Sequence, residues 1–180
     1  MNARNTFLYF AYGSNLLQQR IHIANPTAIF KTIAKLQDFR LDFNYYSERW
    51  KGSAATIVAD SKSHVWGIVY EIDNKDQPNL DRQEGVAEGV YRVIKVDVES
   101  PLGKSFTCRS YQLTDQPPPL KNGESLPSSR FPSKIYLNTI IAGAIENKIP
   151  ADYIDYLKKI PSNEFNGPIH MNLDLQKYLS

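Results

Sequence analysis

The sequence predicts an α+β fold in which a mostly antiparallel sheet or small β-barrel is accompanied by helices. Several segments with strand-like patterns occupy residues 7–113, few helical patterns separate them, and two helical patterns follow from residue 133. A doubly wound parallel sheet would instead alternate strands and helices along the chain. No internal repeat or linker divides the 180 residues, so we expect a single domain over residues 1–180.

The strands are predicted from uninterrupted apolar runs and from the alternation of apolar and polar residues. FLYFAY is an unbroken apolar and aromatic run, whereas YRVIKVDVE alternates with the period of two that a half-buried strand shows. Between AATIVA and VWGIVYEI, the polar DSKS resembles the turn of a hairpin. The expected strands are residues 7–12, two stretches within 27–45, and residues 54–59, 65–72, 91–99 and 104–113.

Helices are predicted from capping residues, helix breakers and apolar periodicity. Ser14 or Asn15 is expected to cap a helix that continues to about Ile23, and Gly85 is expected to end a short one. Proline, serine and aspartate are frequent in residues 114–132, which we expect to form a long surface loop. The other expected helices are residues 76–85, residues 133–147, one that starts at Pro150, and a short one within 172–179.

Composition excludes several classes of function. Lys and Arg number 21 against 19 acidic residues, which gives a net charge of +2, and the basic residues are scattered. This balance argues against a nucleic-acid or membrane-surface partner. The single cysteine, Cys108, rules out an internal disulfide, and no apolar run approaches a membrane span or a signal core. We expect a cytoplasmic protein.

Metal sites and nucleophiles find little support in the sequence. His22, His64 and His170 lie far apart without the spacing of metal ligands, so no metal site is expected. Cys108 lies in the middle of a predicted strand, where a buried structural thiol is the expected state. Ser14 lacks the nucleophile-elbow motif of a serine hydrolase.

The turn Gly13-Ser14-Asn15 is the first candidate site. A strand that ends in a glycine-containing turn exposes several backbone N–H groups, which can hold a carboxylate or an oxyanion. The turn is not a nucleotide-binding P-loop, because a second glycine and a lysine are missing. On its own, a plain helix cap explains the same residues.

Glu84, in LDRQEGV, is the second candidate. It falls in the last turn of a predicted helix, where the negative end of the helix dipole raises the pKa of a carboxyl group, as burial also does. A glutamate with a raised pKa is suited to accept and return a proton near neutral pH. An exposed glutamate at a helix end is the plain alternative, and Asp81 is expected to be a solvated acid.

Six segments, in this order, closely resemble γ-glutamylcyclotransferases: FLYFAYGSNL, AKLQDFRLDF, VWGIVYEI, LDRQEGV, TCRSYQL and GAIENKIP. The resemblance covers residues 7–157 and departs in the loop 114–132 and in the C-terminal tail. It implies an α+β fold around a small mixed β-barrel, a homodimer, and no metal or organic cofactor. The implied reaction releases the amino acid from a γ-glutamyl amino acid and converts the glutamyl group to 5-oxoproline.

The resemblance also implies roles for individual residues. Glu84 matches the catalytic glutamate of the family, and the backbone of the YGSN turn is implied to hold the glutamyl group. The three later tyrosines fall on separate predicted elements, and the sequence alone does not establish that they converge. The implied substrate-binding residues are Tyr9, Phe10, Ala11, Tyr12, Gly13, Ser14, Asn15, Tyr91, Tyr111 and Tyr136.

Three other functions remain open at this point. The nearest is a cyclotransferase that acts on γ-glutamylamines. A glutathione-specific cyclotransferase is another, although its typical opening motif differs from YGSN. The third is a non-catalytic ligand- or protein-binding module on the same fold, against which the presence of Glu84 argues.

Overall fold

Five strands close into a small barrel, and this architecture confirms the predicted fold class. The computed structural model describes residues 5–179, so residues 1–4 and 180 of the expected domain lie outside the described part. Neighbouring strands run in the order β1-β3-β2-β4-β5, and all pairs are antiparallel except β1 with β5. The strands are β1 (Thr6–Ala11), β2 (Ile29–Ser47), β3 (Gly52–Asp73), β4 (Tyr91–Glu99) and β5 (Ser105–Leu113).

The helices lie outside the barrel, and most of them occur where the sequence predicts them. Ser133 caps the long C-terminal helix by accepting a hydrogen bond from the Tyr136 N–H at 3.2 Å. None of the described helices is long and apolar enough to cross a membrane. The α-helices are α1 (Gln18–His22), α2 (Gln77–Gln83), α3 (Lys134–Glu146), α4 (Ala151–Lys158) and α5 (Gln176–Leu179), with 3-10 turns at Ser14–Leu16, Asn74–Asp76 and Ser128–Arg130.

The long β2–β3 ribbon corrects two expectations. Residues 27–45 do not hold two separate stretches, because β2 is continuous and absorbs extra residues at bulges; Asp38 and Tyr45, at two of them, have φ of 63° and 57°. DSKS is not a hairpin turn either, since β3 passes through it. Asp60 accepts hydrogen bonds from the Lys62 N–H at 3.1 Å and the Ser63 hydroxyl at 2.8 Å, which bulges the chain without reversing it.

The expected cap at Ser14 or Asn15 is wrong. Residues 14–16 form a 3-10 turn without a side-chain cap, and α1 begins only after Leu17. The Asn15 side chain instead donates to the Tyr9 hydroxyl at 3.1 Å, so it is occupied in a buried contact rather than at a helix end.

The loop 114–132 is anchored at its end by a buried ion pair. The Arg130 guanidinium donates to the Phe43 carbonyl at 2.9 Å and contacts the Asp42 carboxylate, which Arg40 also binds at 3.0 Å. Asp42 and Arg130 are both almost fully buried, so loss of Asp42 would leave the Arg130 charge without an ion-pair partner, whereas Asp42 would keep Arg40 if Arg130 were lost.

α3 packs unusually close to the segment that follows the Gly13–Asn15 turn. A Cβ at Gly143 would lie 2.4 Å from the Leu17 nitrogen and 2.5 Å from the Leu16 carbonyl carbon. Both atoms belong to the backbone, which cannot move away as a flexible side chain would. Glycine at position 143 therefore sets the distance between α3 and this segment.

We expect Gly143→Ala to lower the free energy of unfolding by about 1–3 kcal/mol, because the methyl group overpacks this contact. Helix propensity alone predicts the opposite sign, a gain of about 1 kcal/mol. Denaturant unfolding monitored by circular dichroism distinguishes the two. A more stable variant would show that the close approach does not constrain the fold.

Candidate active site

A cavity of about 400 Å³ opens at one end of the barrel. Tyrosines buried in the barrel form its inner wall, and exposed residues of the β2–β3 turn form its mouth. Its volume is in the range of small-molecule sites. The lining includes Tyr9, Tyr12, Gly13, Ser14, Asn15, Arg20, Glu48, Arg49, Trp50, Ala55, Gln83, Glu84, Gly85, Glu88, Tyr91, Tyr111 and Tyr136.

Glu84 is placed in this cavity by the way α2 ends. Gly85 has φ of 61°, a left-handed conformation that glycine adopts without strain. Its N–H bonds the Arg82 carbonyl at 3.1 Å, and the Val86 N–H bonds the Asp81 carbonyl at 3.0 Å, which together make a Schellman motif. This motif stops the helix directly after Glu84 and turns the chain away.

The Glu84 carboxyl is half-buried, because it faces the cavity on one side and protein on the others. Burial raises its pKa to about 7, while the charges of Arg20 and Arg49 and a hydrogen bond from Gln83 oppose that rise. The rise expected from the sequence is present, with burial as its largest cause. The carboxylate therefore changes protonation near neutral pH, as a general base and acid requires.

A chain of side-chain amides joins Glu84 to the Gly13–Asn15 turn. The Gln83 amide donates to the Asn15 side-chain oxygen at 3.1 Å and lies 3.4 Å from a carboxylate oxygen of Glu84. Asn15 in turn donates to the Tyr9 hydroxyl. The two candidates found in the sequence, almost 70 positions apart, therefore border one cavity and are connected through Gln83.

Three tyrosine hydroxyls of the cavity wall bind backbone atoms. Tyr91 donates to the Ala55 carbonyl, and Tyr136 accepts from the Ala55 N–H at 3.0 Å. Tyr12 donates to the Tyr111 carbonyl at 2.6 Å. Burial raises the pKa of each of these tyrosines, so their hydroxyls stay protonated across the working pH range.

Asp81 is not the solvated acid that the sequence suggested. Its carboxylate accepts two hydrogen bonds from the Arg109 guanidinium, at 2.7 and 2.9 Å, and one from the Tyr111 hydroxyl at 2.6 Å. Arg109 also donates to the Tyr111 hydroxyl at 3.0 Å. The network fixes the Tyr111 ring beside Tyr9, with the ring centroids 5.9 Å apart.

The Gly13–Asn15 turn leaves its backbone donors free. The N–H groups of Gly13, Ser14 and Asn15 make no hydrogen bond to any residue between 5 and 179. Phe10 and Ala11 differ from their neighbours, because their side chains are fully buried in the core and do not line the cavity. Both residues pack in the core at the end of β1, just before the Gly13–Asn15 turn.

Sequence reasoning missed Arg20, Arg49, Trp50 and Gln83, all of which line the cavity. Gln83 could have been noticed as the neighbour of Glu84. Arg20 carries no local signal, because only the fold brings α1 against the β2–β3 turn. Cys108 is buried in β5 away from the cavity, and burial raises the pKa of its thiol to about 12, as suits a structural thiol.

Comparison with known proteins identifies the family of this fold and site. The AIG2-like family matches residues 64–157, just over half of the chain. A mouse (Mus musculus) γ-glutamylcyclotransferase is 48% identical over 91% of this chain and 84% of its own length, and the human (Homo sapiens) one is 43% identical over 94% and 86%. A solved structure of a γ-glutamyl cyclotransferase superposes with a TM-score of 0.82 at 42% identity, covering 91% of this chain and 93% of the other.

The protein thus belongs to the AIG2-like class of small-barrel proteins. Within that class it is a member of the γ-glutamylcyclotransferase family of enzymes, because the similarity extends over nearly the whole chain in both sequence and structure.

We expect Glu84→Gln to stabilise the fold at high pH. The folded-state pKa of about 7 lies above the ordinary 4.5, so an ionised Glu84 costs stability above pH 7, and the cost disappears as pH falls to 4.5. The variant should gain about 1–3 kcal/mol at pH 8 and nothing at pH 4.5.

Thermal unfolding of both proteins at several pH values measures this difference. Glu88→Gln is the matched control, because Glu88 lies at the exposed rim of the same cavity and has no burial cost to relieve. An equal gain in both variants, or a gain that persists at pH 4.5, would contradict the assignment.

Proposed function

We propose that this protein is a γ-glutamylcyclotransferase that converts γ-glutamyl amino acids into 5-oxoproline and the free amino acid, with Glu84 as general base and acid. The observation that carries the proposal is the half-buried Glu84 carboxyl with a pKa of about 7, in a cavity bordered by free backbone donors. Relatives of 43–48% identity named for this activity support it.

The substrate already contains its nucleophile. The α-amine of the glutamyl group attacks the γ-carbonyl carbon and closes a five-membered ring. Because nucleophile and electrophile are tethered, correct positioning supplies up to about 7–11 kcal/mol of the barrier. The cavity wall therefore has to hold one folded conformer of the glutamyl group.

Proton transfer is the step that needs a side chain. The α-amine arrives as an ammonium, and Glu84 takes one of its protons so that the lone pair can attack. Glu84 then delivers that proton to the departing nitrogen, and the carbon–nitrogen bond to the amino acid breaks. The ring nitrogen gives up a second proton to Glu84, which passes it to the released amine. Each proton lost by one nitrogen is gained by the other.

The backbone N–H groups of Gly13, Ser14 and Asn15 are proposed to bind the glutamyl group. They suit either its α-carboxylate or the oxyanion that forms at the γ-carbonyl, since both are anionic oxygens that need several donors. Tyr9, Tyr12, Tyr91, Tyr111 and Tyr136 are proposed to shape the space around it.

We propose in addition that the chain acts as one domain, as a cytoplasmic homodimer, and without a cofactor. The reaction involves no change of oxidation state, and the substrate itself balances every bond and proton. The mass of the protein in solution, measured against the 20.5 kDa of one chain, tests the dimer.

We expect Glu84→Gln to lower kcat/KM for γ-glutamyl-alanine by about 10²–10⁴-fold, because the amide keeps the shape but removes the base. Release of 5-oxoproline measures the effect, and thermal unfolding shows that the variant is folded. Glu99→Gln, at the exposed end of β4, is the control and should keep full activity. Near-normal turnover by a folded Glu84→Gln protein would rule out this role.

The pH profile of the wild-type enzyme gives a second test. Glu84 acts as a base only when ionised, so kcat/KM should fall tenfold per unit below a midpoint of about 7. Initial rates of 5-oxoproline release between pH 5 and 8 locate that midpoint. A profile that stays flat down to pH 5 would mean that another group accepts the proton.

A cyclotransferase acting on γ-glutamylamines remains the second candidate, since the cavity mouth is open. Turnover of γ-glutamyl-alanine and of a γ-glutamylamine, compared in one assay, separates the two. If neither substrate yields 5-oxoproline, a non-catalytic binding module is favoured.

A further inference from the structure

Arg20 carries a buried positive charge that nothing in the described chain neutralises by contact. The side chain lines the cavity, yet the residue is only 3% exposed. Its Nε is enclosed without a hydrogen-bond partner, and none of the ion pairs among residues 5–179 includes it. Within the described part of the chain, the Arg20 guanidinium has one cation–π contact, with the Trp50 ring, whose centroid lies 5.8 Å from Cζ.

Such an arrangement is costly in a folded protein. A guanidinium stays protonated at all ordinary pH values, and a buried charge is normally paired and hydrogen-bonded. A second cation adds to the cost of burying this charge. Burial is the larger cause that lowers the pKa of Arg20, and the nearby Arg49 at the cavity mouth lowers it further. Arg20 and Arg49 face the same cavity as Glu84, yet neither forms an ion pair with any residue between 5 and 179, so their donors are available to an anionic ligand.

We propose that Arg20, helped by Arg49, binds the carboxylate of the departing amino acid and so selects γ-glutamyl amino acids over γ-glutamylamines. The proposal rests on the proposed function and deepens it, since it names the part of the substrate that distinguishes the two candidate activities. A guanidinium is suited to this role because its donors match a carboxylate in a bidentate pair.

The position of the two arginines favours the departing carboxylate over that of the glutamyl group. Arg49 and the adjacent Glu48 are exposed at the mouth. Trp50 directly follows them in the chain, and Arg20 packs on its ring. The free N–H groups of Gly13–Asn15 lie beside Tyr9 and Tyr136, which are also near enough to Arg20 to affect its pKa. It is therefore the exposed Arg49 that extends the cationic pair toward the mouth. A substrate that places its glutamyl group against these N–H groups and its ammonium at Glu84 extends its amino acid toward the arginines.

The test compares γ-glutamyl-alanine with γ-glutamyl-alaninamide, a neutral substrate of nearly the same shape. The wild type should prefer the carboxylate by roughly 10- to 100-fold in kcat/KM, the range of hydrogen bonds to charged groups. At a pH above the acid limb of both proteins, Arg20→Gln should lose that factor on γ-glutamyl-alanine, mainly through KM, and keep its kcat/KM on the alaninamide. Arg20→Lys should recover part of the preference. Because the ratio of two substrates is taken within one preparation, it does not depend on the folded fraction.

Two further variants control the comparison. Arg49→Gln removes an exposed charge and should reduce the preference in the same direction by a few-fold. Arg92→Gln removes an arginine from the outer face of β4, where it bonds Gln112. This variant should leave kcat/KM unchanged for both substrates. Arg20 also lowers the pKa of Glu84, so Arg20→Gln should move the acid limb of the pH profile upward for both substrates alike.

An equal loss on both substrates, or no loss on either, would overturn the proposal, because Arg20 would then act on the glutamyl group, on Glu84, or on nothing. Binding separates this from a failure of the proposed function. In the Glu84→Gln background, calorimetry should give a Kd for γ-glutamyl-alanine that rises roughly 10- to 100-fold when Arg20→Gln is added. An unchanged Kd overturns the role of Arg20, whereas absence of 5-oxoproline from wild type on both substrates overturns the function.

Discussion

The whole site depends on holding one carboxylate half-buried at the end of a short helix. The Schellman motif centred on Gly85 ends α2 directly after Glu84, and the surrounding protein removes enough water to raise the pKa of the carboxyl to about 7. Two other residues of the cavity act on this carboxyl. Gln83 connects it to the turn that offers free N–H groups, and Arg20 limits how far its pKa rises.

This balance between burial and positive charge determines the protonation state of the Glu84 carboxyl. Burial alone would keep a carboxyl neutral at physiological pH, and a close ion pair would keep it ionised. Arg20 acts between these limits, because it lowers the pKa of Glu84 without forming an ion pair with it among residues 5–179. The charge of Arg20 is thereby left available to a ligand, as the proposed contact with a substrate carboxylate requires.

The sequence was sufficient for the class of fold. It also pointed to Glu84 and the YGSN turn, which border one cavity, but it did not show how they are connected. Apolar alternation located β4 and β5, and the resemblance to a known family supplied Glu84 and the YGSN turn. The prediction of a hairpin turn at DSKS was wrong. The local hydrogen bonds of Asp60 produce a bulge there, and long-range pairing with β2 keeps the strand continuous. Asp81 was misjudged for a similar reason, since its partner Arg109 lies on β5.

Three hydroxyls of the cavity wall are fixed by main-chain atoms, whereas those of Tyr9 and Tyr111 bind side chains. Tyr91 and Tyr136 bind the two backbone groups of Ala55, and Tyr12 binds the carbonyl of Tyr111. A backbone group survives any substitution that preserves the path of the chain. This part of the cavity wall therefore depends on the path of the barrel strands rather than on the identity of neighbouring side chains.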